Sequence, residues 1–312
     1  MTARPPLFEP QAARVPLQLQ QRDLEILKVV YEHRFIDTEQ IKTFFSHTVA
    51  DPIVQGEKTN EAIARRLYKL FHHGYLDRPK TQLELRIRYG NLPMIYALGD
   101  KGARVLTQEY DLKISSLKGW RSKNAKVTGP HILHKLMIAK FHVALLTALR
   151  DHPRAELIVW KGEDELRGRW LSVTGPKGMQ RVKVLPDGFF GIRLKNHSKP
   201  NRAFFFLEAE RGTSSSVRFF TKKVLAYLTY YQMGGHTKDF NIKEFRVLTV
   251  TTTTRRRDSL RTLVAEKFHS NAKNRQRFLF ASNSDYNLET PETLLDSVWY
   301  GLDPQEPLSI IS

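Results

Sequence analysis

Over residues 59–78 the chain reads TNEAIARRLYKLFHHGYLDR, and Ile63, Leu67, Leu70 and Phe71 recur at helical spacing. The helix they predict turns Glu61, Arg65, Tyr68, Lys69 and His72 the other way, with Arg66 on the shoulder. Gly74 stands where a helix end favours left-handed backbone, and Tyr75-Leu76 opens an extended run. Upstream, Leu24, Leu27, Val30 and Tyr31 predict an amphipathic helix over residues 22–33. Asp37, with Gln40 three residues later, caps a short second helix carrying Ile41, Phe44 and Phe45, and residues 51–55 read as a loop. Residues 83–88, LELRIR, alternate apolar and charged, as a half-solvated strand does. Turn chemistry at 89–93 leads to a second strand at 94–98, and Asp100 caps a helix over 101–109. Three helices followed by a hairpin is the order of a winged helix-turn-helix. An amphipathic helix in any bundle shows the same stripe, so the reading rests on its neighbours.

The second half has another rhythm. Residues 130–151 form a long amphipathic helix with Ile132, Leu136, Ala139, Phe141, Val143, Leu146 and Leu149 as apolar surface. Strands follow at 157–160, 182–185, 186–194 and 203–211, then a helix at 214–233, a strand at 245–250, a helix at 255–268 and a strand at 278–281. Such an order makes an α/β layer with a central mixed sheet. The tail at 299–312 holds apolar residues that pack back on it. The expected organisation is a flexible arm at 1–18, a winged-helix domain at 19–112, a basic linker at 113–128 and an α/β domain at 129–312. No internal repeat is present.

Composition narrows the partners. Lys and Arg number 50 against 32 acids, a net charge of +18 over 312 residues. That excess points to a polyanion, and to double-stranded DNA first, because phosphate contacts drive affinity by counterion release. The linker concentrates the charge in Lys113, Lys118, Arg121, Lys123 and Lys126 without an acid, either lying along phosphates or as a solvated tether. No uncharged apolar run suggests a membrane-spanning helix, and residues 1–16 are Pro-rich without a signal-peptide core. The absence of cysteine excludes disulfides, thiolate zinc and cysteine nucleophiles. A cytoplasmic location is expected.

The segments RDLEIL at 22–27, ARRLYKL at 64–70, GYL at 74–76 and IYAL at 95–98 through Gly102 resemble the replication-relaxation family, winged-helix proteins of plasmids and other mobile elements. The resemblance implies DNA binding linked to replication, maintenance or transcriptional control, with replication or conjugation proteins and a second copy of the chain as further candidate partners. On this reading Arg65, Arg66, Tyr68 and Lys69 enter or flank the major groove, Asn60 reaches a base edge, and Arg86 and Arg88 hold the backbone from the wing.

The candidate chemistry lies in the second domain. Glu208 and Glu210, two apart in LEAER at 207–211, share a strand face, and Asp187 follows Pro186 on a neighbouring strand. Acids at the end of so apolar a strand need a cation or donors. The region resembles the PD-(D/E)XK nuclease-like fold, in which Asp187 and Glu208 match the acidic positions. That likeness implies Mg²⁺ or Mn²⁺ on Asp187, Glu208 and Glu210, and a metal-dependent endonuclease. Glu210 stands where the fold carries lysine, and Lys223, four residues before Tyr227 on the following helix, is the candidate replacement. Without it the domain is a nuclease-like fold without catalysis; alternatively, the acids are paired with local cations.

Other chemistries are weaker. His131 and His134 lack further ligands, Tyr227, Tyr230 and Tyr231 have core spacing, and GPKG at 175–178 is not a phosphate-binding loop. Arg255, Arg256 and Arg257 open a helix whose dipole they oppose, so either DNA phosphate or an acid such as Asp258 must answer them.

Overall fold

The computed structural model describes residues 7–12, 16–46, 57–112, 118–167, 171–174, 181–195, 201–212, 217–267, 272–303 and 306–311. The loop expected at 51–55, Lys113 and the GPKG segment lie outside them. The chain is mixed α/β and forms two compact units, Met1–Val143 and Ala144–Ser312. Their division falls within a helix rather than at the expected linker.

The first unit contains α1 (Gln21–His33), β1 (Ile36–Asp37), α2 (Thr38–Ser46), α3 (Glu57–His72), β2 (Leu76–Asp77), α4 (Gln82–Tyr89), β3 (Ile95–Leu98), α5 (Asp100–Tyr110), α6 (Trp120–Ala125) and the start of α7 (Gly129–Arg150). β3 is the middle strand of three, antiparallel to β1 with Ile36 opposite Tyr96, and to β2 with Leu76 opposite Leu98. The cap forecast for α2 is present: Gln40 N donates to Asp37 Oδ1 at 2.9 Å, and Asp37 N donates to Gln40 Oε1 at 3.1 Å. α1 buries Ile26, Leu27, Val29 and Val30, so its face is turned from the stripe expected through Leu24 and Tyr31. Gly74 ends α3 with φ 76°, and Tyr75 N reaches back to Leu70 O at 3.0 Å. Gly102 is required by close approach, since a Cβ there would lie 2.3 Å from the Tyr75 carbonyl oxygen.

Three expectations for this unit need correction. Residues 83–88 are not the first strand of a hairpin but the body of α4. The Gln82 side chain fixes the start of α4, donating to Pro79 O and Ile95 O and accepting from Ile95 N at 2.9 Å. Leu85 alone of the alternating apolar residues is buried, against Phe35, Ile95, Ala97 and Ile132; Leu83 and Ile87 are exposed. The basic linker, in its described part, contains α6, docked by Asn124 Nδ2 on Asp77 Oδ2 at 2.9 Å and by Trp120 N on Asp100 Oδ1 at 2.7 Å. The arm is held at residues 7–12: Arg78 Nη1 donates to Leu7 O at 2.9 Å, Arg121 Nη2 to Phe8 O at 3.2 Å, and Gln11 N to His72 Nδ1 at 3.1 Å.

The second unit takes the rest of α7, then β4 (Ala155–Gly162), α8 (Glu163–Leu166), β5 (Leu171–Thr174), β6 (Arg181–Val184), β7 (Gly188–Leu194), β8 (Asn201–Glu210), α9 (Val217–Gln232), α10 (Gly235–Phe240), β9 (Arg246–Thr251), α11 (Thr254–Lys267), α12 (Ala272–Arg275), β10 (Phe278–Ser282) and a 3-10 turn at Pro291–Leu294. The main sheet has the order β10-β9-β8-β7-β4; β4, β7 and β8 are antiparallel, and β8, β9 and β10 parallel. α9 and α11 make the crossovers that parallel neighbours require. β5 and β6 form a separate two-stranded antiparallel sheet. β8 is central, and Phe206 packs on Tyr227 at 5.6 Å and on Phe245 at 4.9 Å between ring centroids. The tail returns as expected, with Trp299 fully buried and Tyr300 bridged to Phe280.

By length and composition alone α7 could cross a membrane, although Lys135 and Lys140 interrupt its apolar run, in keeping with the absence of a long uncharged stretch in the sequence. Most of that apolar surface is buried inside the protein.

Candidate functional site

Two groups of residues were singled out, one in each unit. On α3, Ile63, Leu67, Leu70 and Phe71 are fully buried, which fixes the opposite face outward. Arg65 is exposed and has no ion-pair partner among the described residues. Lys69 and Tyr68 are half-buried beside it, the Tyr68 ring tilted against His72 with centroids 4.3 Å apart. His72 is not on the outer face. It is buried, its pKa is lowered first by that burial, and it accepts the Gln11 N–H.

Arg66 is committed elsewhere. Its Nε donates to Asp23 Oδ1 at 2.7 Å, and its Nη2 binds both Asp23 Oδ2 and Gln18 O. Asp23 is fully buried at the start of α1, so this fork answers a carboxylate removed from water. Asn60 is half-buried, its Oδ1 without a hydrogen bond. Arg86 and Arg88 lie on α4 rather than on a β-wing, because Gln82 and Leu85 hold that segment helical. Arg86 Nη2 donates to Leu92 O at 2.7 Å, and exposed Arg88 sits over the Tyr89 ring at 5.5 Å.

In the second unit, sheet register brings Asp187 next to the end of β8. Asp187 N donates to Leu207 O at 3.0 Å, and Ala209 N to Asp187 Oδ2 at 2.8 Å. Glu208 points into the buried side beneath α9, where Lys223 Nζ binds Oε2 and Tyr227 OH donates to Oε1 at 2.6 Å. Burial drives the Glu208 carboxyl above its ordinary range, against the opposing pull of Lys223 and Tyr227. Burial would lower Lys223, but the Glu208 and Asp187 carboxylates prevail and push it up. Burial first, then Glu208, raises the Tyr227 hydroxyl well above its usual value.

Glu210 turns away to Gly212 N at 2.9 Å and Arg256 Nη2 at 3.4 Å. The expectation that Asp187, Glu208 and Glu210 converge on Mg²⁺ or Mn²⁺ therefore needs correction. Both Glu208 oxygens are engaged, Glu210 is paired with a cation, and among the described residues no three His, Asp or Glu side chains are grouped to hold a metal. The donor set does not fit the ion. Lys223 does reach Glu208, as its helical position suggested, but it closes the carboxylate rather than flanking an open site.

Arg256 as the partner of Glu210 was missed by the sequence reading, whose only signal was a cationic run on a helix following the neighbouring strand. Arg257 takes the acidic alternative, pairing with Asp258 at 2.9 Å and Asp285 at 2.8 Å beneath the Tyr300 ring. Tyr230 is core, its hydroxyl on Asp239 at 2.8 Å. His131 packs edge-on against Phe35.

The model of the replication-relaxation family matches the chain over residues 27–245, more than half its length. That span begins in α1 and ends just before β9, so it includes α3, α4, Asp187, Glu208, Glu210 and Lys223 but neither Asp23 nor Arg256. No curated protein and no solved structure matches the chain.

Proposed function

The chain belongs to the replication-relaxation family, and on that premise we propose that it is a double-stranded DNA-binding protein of a plasmid or other mobile element, acting in its replication, maintenance or transcriptional control. Membership suggests a role in the replication or relaxation of such DNA. The observation that carries the DNA reading is α3, with its apolar stripe fully buried and Arg65 left exposed and unpaired among the described residues. The order α1-β1-α2-α3-β2-β3, with β3 central, supports a winged-helix reading in which α4 takes the place of the wing. Arg65 and Lys69 then face the major groove and Arg88 the adjacent backbone, while the net charge of +18 supplies the nonspecific term.

The test is fluorescence anisotropy of a labelled duplex at several salt concentrations. Arg65→Ala is expected to weaken binding and flatten the salt slope by about one unit. Unchanged affinity at moderate salt would remove α3 from the interface.

The second unit is read as a nuclease-like fold without catalysis. Its order α7-β4-β7-β8-α9-β9 and the placement of Asp187 and Glu208 support the likeness, while the closed carboxylates argue against an endonuclease. Supercoiled plasmid incubated with Mg²⁺ or Mn²⁺ is expected to give the same trace with wild type and Asp187→Ala. Nicking by wild type alone would overturn this reading.

A further inference from the structure

At the start of β8, nine residues before Glu210 and so roughly 30 Å along the strand, a pocket of about 370 Å³ opens at the other end of the main sheet. We infer that it binds a phosphate-bearing ligand of mononucleotide size. Arg202 of β8, Arg246 at the start of β9 and Arg277 just before β10 all line it. Glu244 is the acid of the lining, and it is already answered. Its Oε2 accepts from Arg277 Nη1 at 2.7 Å and its Oε1 from the Tyr231 hydroxyl at 2.9 Å.

Two positive charges are left over. Neither Arg202 nor Arg246 has an ion-pair partner among the described residues. Burial lowers the Arg246 pKa, and no acid counters it. Arg277 is itself 4% exposed, held over the Tyr231 ring at 3.3 Å, and its buried Nε makes no hydrogen bond. Guanidinium groups lacking a carboxylate, as Arg202 and Arg246 do among the described residues, are suited to a phosphate, which they bind in a planar, bidentate manner.

Size and the rest of the lining specify more than inorganic phosphate. A volume of about 370 Å³ lies in the range of small-molecule sites, and a single phosphate leaves most of it empty. Half-buried Phe204 offers an aromatic surface, and Asn201 and Gln276 add amides able both to donate and to accept. Cationic, aromatic and amide groups together match the phosphate, base and sugar of a nucleotide. Such a ligand arrives either as a free nucleotide or as the 5′-phosphorylated end of a nucleic-acid strand.

Isothermal titration calorimetry on the full chain tests this, with deoxyadenosine 5′-monophosphate, deoxyadenosine and short single strands carrying a 5′-phosphate or 5′-hydroxyl. Saturable binding of the monophosphate is expected, weaker by about tenfold or more for the nucleoside and in Arg246→Gln and Arg202→Gln. Neither side chain pairs with an acid among the described residues, so neither substitution leaves a buried carboxylate without its cation. A preference for the 5′-phosphorylated strand that Arg246→Gln abolishes identifies strand ends as the source; preference confined to the monophosphate identifies free nucleotide. No saturable monophosphate binding, or binding equal in wild type and both variants, would overturn the inference. The result is separable from the DNA reading, because Arg65 lies in the other unit.

Discussion

Replacing Lys223 with methionine keeps the unbranched stem of the side chain, one atom shorter, and removes the cation that answers Glu208. The Glu208 side chain is 2% exposed and that of Lys223 25%, so the pair is largely out of water. In the variant the carboxylate retains the Tyr227 hydroxyl at 2.6 Å, but still faces the Asp187 charge. Removing one partner of a buried ion pair costs about 3–5 kcal/mol, far more than an exposed pair contributes. The carboxylate has one escape, which is to take up a proton. Its pKa is already raised by burial above the ordinary 4.5, and losing Lys223 raises it further. The folded variant then binds that proton more tightly than the unfolded chain does. The deficit against wild type should therefore be small below about pH 4.5 and grow as pH rises through the raised value. Calorimetric melting at pH 5 and pH 8 checks this, with a fall of roughly 10 °C expected at pH 8. Adding Glu208→Gln to Lys223→Met should recover much of the loss, since a neutral amide still accepts from Tyr227. A loss under about 1 kcal/mol at pH 8, or one independent of pH, would refute the closed carboxylate as a stabilising pair.

Arg66→Ala should lower the melting temperature by an amount equivalent to about 3–5 kcal/mol, because it strands the fully buried Asp23; the check is its contrast with Arg65→Ala. Duplex affinity lost in Arg66→Ala without a change in melting temperature would mean that Arg66 meets DNA after all. In the first unit His33 Nδ1 donates to Val29 O at 2.8 Å, and its Nε2 lies 3.0 Å from His142 Nδ1, which fits two neutral rings. Burial holds His33 down at about 4, against an ordinary 6.5, and burial first, then His33, keeps His142 well below its usual value. Above pH 6.5 both states leave His33 neutral. As pH falls from 6.5 towards 4 only the unfolded chain gains its proton, and about 3 kcal/mol is lost from this residue. Asp37, raised by burial to about 6, works in the opposite direction between pH 6 and 3.8, so the measurement compares wild type with His142→Gln. The variant should lose less stability than wild type between pH 7 and pH 5 in urea titrations; parallel curves would show the pair to be indifferent to pH.

What local pattern conveys and what it hides can be seen in particular residues. The run FFFLEAE at 204–210 announced a central strand because both faces of β8 are covered, and its bounds differ from the expectation by two residues at one end and one at the other. The α2 cap was legible because its two partners lie three residues apart. α4 was not. LELRIR has the period of a strand, and what makes it a helix is the Gln82 side chain satisfying the backbone of Ile95, thirteen residues on. The same limit governs the charges. Glu210 was matched to a metal because Arg256 lies 46 residues away, on a helix whose approach no local pattern records. Arg65 and Arg66 are neighbours of identical chemistry, and Asp23, 43 residues upstream, separates them. Helical spacing placed both near the outer face; only the tertiary partner shows that one is neutralised in the fold while the other stays exposed. A net charge of +18 therefore overstates the cations available to DNA, and Arg65, exposed and unpaired among the described residues, is the position at which the DNA reading should be tried.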